Sequence, residues 1–273
     1  MSTIARDYPR ADLALACENL IGWTGGPYAI LLQFAAPGIA QGTCTHSSFK
    51  TNPLSRLRRT AAFILAVTHG TPAQRSAICS MVRRQHARVH GPGYDARDAA
   101  LQMWTAATIY AGVIKAHEAF VGEMSLVRKA VLCRQAAAFA TCLDMPAEMW
   151  PGSLQAFETY FDGMLAREVG EVSKDMARVL MFEVALPWWL CWALPVVRLV
   201  TAHWLPPRLR EAYGLPDPKR SWWLWRSYAV LVWVVWLLSW LAPRKVERGV
   251  FLLIKRDMER AAEGIERTGR WTI

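Results

Sequence analysis

The chain has 273 residues, 53% of them apolar and 20% charged, with 14 Trp, six Cys and a formal net charge of +10. Its apolar content excludes a disordered or collagen-like chain, and six cysteines in this length do not make a disulfide scaffold. With no Gly/Ser/Pro-rich linker, low-complexity run or internal repeat to divide it, residues 1–273 are expected to form one domain.

From Met1 to Leu20 the chain carries Arg6, Asp7, Arg10, Asp12 and Glu18 with no long apolar run, so it does not read as a secretory leader. Between Asn19 and Tyr94 there is no Asp or Glu, whereas Lys50, Arg56, Arg58, Arg59, Arg75, Arg83, Arg84 and Arg88 all fall there. This third of the chain sets up a positive field suited to an anionic ligand, a phosphate backbone or an anionic membrane; a solvated basic face is the plainer alternative. Cys17, Cys44, Cys79, Cys133, Cys142 and Cys191 form no C-x-x-C pair and no zinc-ligand spacing, which fits a reducing, intracellular compartment.

Helix punctuation recurs along the chain. Asn52-Pro53 supplies an N-cap and a first-turn proline and Gly70 a stop, predicting a helix over Pro53–His69. Thr71-Pro72 repeats the device, with Gly91 closing that helix after His90, whose charge would suit a helix C-terminus. Asp95 is expected to cap a long helix from Ala96 to about Gly122, and Ser153 and Ser173 to cap two more. Alternating strand patterns are nearly absent, so the fold class is all-α.

Two apolar runs raise the question of a membrane. Val184 to Val197 is uncharged but contains Pro187 and Pro195, an awkward composition for a spanning helix. Ser227 to Pro243 gives 17 uncharged residues between Arg226 and Arg244, at the lower limit for a span. Trp233, Trp236 and Trp240 recur at helical spacing in mid-segment rather than at its ends, which favours a buried helix or a peripheral membrane contact over a span.

Chemistry is suggested by two of the helices. On Pro53–His69, Arg56, Arg59, Thr60, Phe63 and Val67 share one face. A semi-buried Arg needs an anionic partner, and none is near in sequence; a ligand carrying carboxylates or phosphates would serve, or the arginines pair with distant acids. On the following helix Ile78, Met81, Val82, His86 and Val89 fall at helical spacing, so His86 projects from an apolar face. Such a histidine is either a satisfied core residue or a neutral imidazole of the kind a haem iron takes as axial ligand. No E-x-x-H, H-E-x-x-H, G-x-S-x-G, P-loop or G-x-G-x-x-G pattern occurs, and nothing resembles a helix-turn-helix or an RNA-binding aromatic motif, so nucleic acid is not an expected partner.

Several segments carry a family resemblance in their order and spacing: Leu31-Leu32-Gln33 to Ala36-Pro37, His46-Ser47-Ser48-Phe49, Pro53, Arg56-Leu57-Arg58-Arg59-Thr60, Gly70-Thr71, His86-Ala87-Arg88-Val89-His90-Gly91 and Tyr94-Asp95-Ala96-Arg97-Asp98, then Trp104. Together they resemble the oxygenase family that joins latex-clearing proteins, the rubber oxygenases, to the ER-bound oxygenase of fungal mycophenolic acid biosynthesis. A looser match continues through Leu205-Pro206-Pro207-Arg208-Leu209-Arg210 and Tyr213-Gly214, so that residues 25 to 245 are covered.

The resemblance implies a globin-like helical domain, with additional apolar C-terminal helices, holding one haem b. It makes His86 the iron ligand and sets Arg56, Arg59 and Thr60, with Phe63 a turn further on, beside the haem, where the propionates would be the missing anions. Latex-clearing proteins use an upstream glutamate as distal base; this chain has none there, and Gln41 and His46 are the distal-side candidates. The expected activity is oxidation of an apolar small molecule by O2 or peroxide, in specialised metabolism, with a homo-oligomer possible. Met103, Trp104, Thr108 and the aromatic-rich C-terminal third are expected to wall the pocket. A haem sensor or carrier, and a membrane-associated helical protein without cofactor, are the alternatives.

Overall fold

A computed structural model describes residues 13–47, 51–191, 193–217, 221–241 and 244–271. Most of the N-terminal stretch with Arg6 and Arg10, together with Ser48, Phe49, Lys50 and Pro243, lies outside the described residues. The fold is all-α. Four helices open it: α1 (Leu13–Glu18), α2 (Leu20–Thr24), α3 (Gly26–Phe34) and α4 (Pro37–His46). Helices α5 (Pro53–His69) and α6 (Pro72–His86) follow, then a two-residue-per-strand hairpin, β1 (His90–Gly91) and β2 (Tyr94–Asp95), and the long α7 (Ala99–Phe120). Beyond it come α8 (Leu126–Ala136), α9 (Ala138–Thr141), α10 (Leu154–Leu165), α11 (Glu171–Arg178), α12 (Trp188–Cys191), α13 (Leu194–Trp204), α14 (Pro207–Ala212), α15 (Trp222–Leu241) and α16 (Arg244–Thr268).

The helix signals at Asn52 and Thr71 act as the sequence predicts. Asn52 Oδ1 accepts from Ser55 N at 3.2 Å, and Thr71 and Gln74 form a reciprocal capping box. Ser153 likewise caps α10 through Ala156 N at 3.1 Å. Three expectations are corrected. Asp98, not Asp95, caps α7, accepting from Ala100 N at 2.8 Å, because Asp95 is held in β2 by Arg97, whose guanidinium brings its pKa down to about 2. Ser173 lies buried inside α11, which starts from Gly170. His90 is in a strand: α6 stops at His86 because Pro92 and Gly93, the latter at φ +80°, turn the chain into a hairpin.

Two apolar clusters hold the elements together. The larger is organised on α7, whose Trp104 and Thr108 are fully buried. Here α7 meets the start of α3 backbone to backbone: a Cβ at Gly25 would stand 2.2 Å from the Gly112 carbonyl oxygen. Trp104 Nε1 donates to Leu32 O at 3.0 Å and Tyr213 OH to Leu31 O at 2.9 Å, so α3 is held from both sides. The smaller cluster joins α5 and α6 to α16 through Ala62, Leu65, Ala66, Ile78 and Met81 against Met258, Ala261, Ala262 and Ile265. Small residues on both sides let the helices approach closely, and Arg58 grips Asp257 with two bonds of 2.7 Å.

Among the described residues no helix is long and apolar enough to cross a membrane. Pro187 and Pro195 divide the first apolar run between α12 and α13. The second run forms α15, which covers only one stripe: Tyr228, Leu231, Val232 and Val235 pack inward, while Trp222, Trp223, Trp225, Val230 and Trp233 are exposed. The reading of this run as a buried helix is therefore corrected at Trp233, which points outward; the side chains of Trp236 and Trp240 lie outside the described residues. Of the two C-terminal helices, α15 is apolar and α16 amphipathic.

Candidate functional site

The end of α4, the start of α5, the end of α6 and the hairpin converge. Arg56 donates through Nη1 to Ser47 Oγ at 2.9 Å, fastening the first turn of α5 to the residue that closes α4. His46 Nε2 lies 3.0 Å from Tyr94 OH, which joins the hairpin to the same end of α4. Val89 and Tyr94 rest on α4 at Gly42, where a Cβ would stand 3.3 and 3.4 Å from them. A Cβ at Gly91 would meet the Tyr94 hydroxyl at 2.7 Å, so the tyrosine can fold back over the hairpin only because residue 91 has no side chain. His86 sits at the last turn of α6, close enough to Arg56 to feel its charge.

The electrostatics separate the arginines into two groups. Arg58 and Arg83 find acids from outside the acid-free third, Asp257 and Asp144 respectively. Among the described residues Arg56 and Arg59 have no carboxylate partner, and Arg59 Nε is buried without a hydrogen bond. Arg56 is reached by solvent yet hemmed in by protein, and burial holds its pKa below the ordinary arginine value. Burial first, and Arg56 second, push the His86 imidazole below the usual histidine range, which keeps it neutral at neutral pH. Its Nδ1 is buried and has no hydrogen-bond partner.

The remaining expected site residues are distributed as follows. Phe63 is half-buried on α5, its ring 6.4 Å from that of Phe139, and Thr60 is exposed a turn earlier. Gln41 donates to Thr45 Oγ1 at 3.4 Å within α4. Met103, Trp104 and Thr108 are core residues; Thr108 accepts from Gln33 Nε2 at 3.0 Å and donates to Thr105 O at 2.8 Å. Two surface depressions, of about 300 and 150 Å³, lie elsewhere, one beside Arg178, Phe182 and Tyr213, the other beside Tyr28, Tyr110 and Phe157.

Sequence reasoning did not single out Ser47 and Tyr94 as members of this cluster, nor Asp257 and the α16 stripe behind it. The stripe Met258, Ala261, Ala262, Ile265 has helical spacing and was readable as an apolar face; which helices it covers was not.

In this all-helical fold the end of α6 brings His86 near Arg56, with Arg59 one turn further along α5; among the described residues neither arginine has a carboxylate partner. The chain belongs to the family described as "ER-bound oxygenase mpaB/B'/Rubber oxygenase, catalytic domain", whose profile matches residues 15–235. It is therefore an oxygenase-family catalytic domain. Relatives include the uncharacterized protein Rv2237 of Mycobacterium tuberculosis and the uncharacterized protein Mb2261 of Mycobacterium bovis, each 27% identical over 247 residues, spanning 86% of this chain and 96% of the relative. No solved structure gives a significant match.

Proposed function

We propose that this oxygenase-family domain is a haem b-dependent oxidase or oxygenase of specialised metabolism, acting on an apolar small molecule by oxidative C=C cleavage or a related oxidation. One observation carries the reading: Arg56, which with Arg59 on the same helix has no carboxylate partner among the described residues, stands near a desolvated His86 whose Nδ1 is unengaged. A neutral imidazole is the donor that haem iron takes, and two guanidinium groups suit its two propionates. When bound, haem would supply the activation of O2 or peroxide.

The chain's own residues then have defined tasks. Burial and the Arg56 charge keep the His86 imidazole neutral, so that it would be available to hold the iron. Arg56, oriented by Ser47, and Arg59 would bind the anionic edge of the group, and Thr60 and Phe63, along the same helix face, would lie beside it. His46 holds or receives a proton at Nε2, where Tyr94 OH is its partner, and Gln41 is the second polar candidate on α4. The exposed aromatic side of α15, with Arg226 5.6 Å from the Trp222 ring, is suited to rest on a membrane surface, from which an apolar substrate would arrive.

The ultraviolet–visible spectrum and a pyridine haemochrome assay test the proposal. The purified parent should show a Soret band with near-stoichiometric haem b, and His86→Ala should lose it. Arg56→Met and Arg59→Met should each weaken haem affinity by about ten- to a hundredfold, the value of one charge-assisted hydrogen bond. A folded parent that stays colourless after reconstitution, or an unchanged spectrum in His86→Ala, overturns it. Co-sedimentation with anionic vesicles, reduced in a Trp223→Ser, Trp233→Ser double variant, tests the membrane contact.

A further inference from the structure

We propose that the smaller surface depression, of about 150 Å³ between α3, α7, α8 and α10, is a binding site for a small aromatic carboxylate of benzoate size. The site uses none of the residues assigned to haem, so either reading can fail without the other.

The hollow is built from stripes that helical spacing creates. On α7, Ala111, Ile114, Lys115 and Glu118 fall at i, i+3, i+4 and i+7, a stripe that begins apolar and ends charged. On α10, Leu154, Phe157 and Glu158 share a face in the same way. Tyr28 comes from α3, one turn beyond Gly25, and it reaches α7 because Gly25 and Gly112 let the two helices meet backbone to backbone. The walls are apolar and aromatic. Tyr110 and Phe157 are buried with their rings 4.9 Å apart at 82°, so a planar guest stacked on either one stands edge-on to the other. Tyr28 is held against Trp204, ring to ring at 6.1 Å and 86°. An apolar cavity of about this size holds a benzene ring.

The polar groups left over select the ligand's other end. Tyr110 OH is already used, donating to Lys129 O at 3.1 Å, and the Lys129 ammonium is paired with Glu118 at 2.5 Å. Tyr28 is only 7% exposed, yet among the described residues its hydroxyl has no hydrogen-bond partner, and neither has the half-buried ammonium of Lys115. Burial pushes the Tyr28 phenol up to about 12, so it stays protonated and able to donate. Glu158 is unpaired too, but it stands exposed at the rim, where water serves it. The two inner groups without partners are thus both donors. A carboxylate on a flat apolar body gives each of them an acceptor while the body fills the space between the rings.

The test is a ligand-observed NMR titration of the full chain with benzoate, benzamide and benzylammonium. Benzoate should bind with a Kd on the order of 0.1–1 mM, in keeping with so small a ligand. Benzamide, which lacks the charge, should bind about tenfold more weakly, and benzylammonium more weakly still. Tyr28→Phe should weaken benzoate binding about tenfold and Lys115→Met about threefold, the second loss shrinking in high salt. Because Tyr28→Phe removes a hydroxyl that nothing in the protein satisfies, its Tm should be unchanged or raised; a lowered Tm would mean that the hydroxyl is already engaged, and overturns the proposal. Ala111→Leu places a larger side chain in the hollow and should abolish binding, with circular dichroism reporting an intact fold. The proposal is also overturned if benzoate fails to bind up to about 10 mM or if benzylammonium binds more tightly. Affinity unchanged in both Tyr28→Phe and Ala111→Leu, as for an anion held at the arginines of α5, overturns it equally.

Discussion

Gly25 and Gly26 are consecutive, both glycine, and should respond oppositely to the same substitution. An alanine Cβ at 25 would lie 2.2 Å from the Gly112 carbonyl oxygen and 2.5 Å from its carbon, where ordinary contact begins near 3.4 Å; at 26 it would meet nothing within 4 Å. Both obstacles at 25 are backbone, so α2 and α3 must move away from α7 by roughly an ångström, loosening a tightly packed interior. Overpacking of this kind costs about 1–3 kcal/mol, and with no side chain able to yield we place Gly25→Ala at about 3 kcal/mol, after subtracting a few tenths for the stiffer unfolded chain. For a chain of this size that is a fall in Tm of roughly 6–12 °C. Gly26→Ala should be neutral or stabilising by up to about 1 kcal/mol. Gly112→Ala, with its nearest obstacle at 2.9 Å, should fall between them. Urea unfolding followed by far-ultraviolet circular dichroism measures all three; equal midpoints for Gly25→Ala and Gly26→Ala would refute the close-approach argument.

Trp104→Phe removes the bond to Leu32 O, about 1 kcal/mol, and leaves roughly 40 Å³ unfilled, about 1 kcal/mol more, so a loss of about 2 kcal/mol is expected in urea titration, and a loss below about 0.5 kcal/mol would contradict the burial described. Asp257→Asn breaks a two-bonded clamp with a half-exposed Arg58; it should cost no more than about 1 kcal/mol and its effect should shrink in high salt, whereas a salt-independent loss would point to packing instead. His117 is held below the usual histidine range by burial, a shift opposed by its bond to Gly122 O at 3.2 Å. Because the unfolded chain binds the proton more readily, this contribution is fully present above about pH 6.5 and is lost as pH falls through the folded-state pKa. His117→Gln should flatten that part of the stability profile, and parallel profiles for parent and variant would remove His117 from the account.

Fold class and helix starts were legible because they depend on local chemistry: Asn52, Thr71 and Ser153 each place an oxygen where the first free amides of a helix need one. Asp95 and Ser173 misled because a side chain that can cap can equally be claimed by a neighbour, as Arg97 claims Asp95, or be buried within a turn already begun. The common face of Arg56, Arg59, Thr60 and Phe63 was readable from spacing, and so was His86 on an apolar face. What spacing could not supply was the division among the arginines. Which of them find acids depends on Asp144 and Asp257, residues distant in sequence and adjacent only after folding.

The long last helix changes what counts as the working length of this chain. The stretch shared with the oxygenase family ends at residue 235, yet the far side of the histidine helix and of the arginine helix is covered by Met258, Ala261, Ala262 and Ile265. Cut at the boundary of kinship, the chain would leave Leu65, Ile78 and Met81 facing water, and the two helices that deliver Arg56 and His86 would lose their common backing. Ancestry and foldability thus draw their borders at different places, and the segment that backs these two helices lies outside the one that makes the chain recognisable.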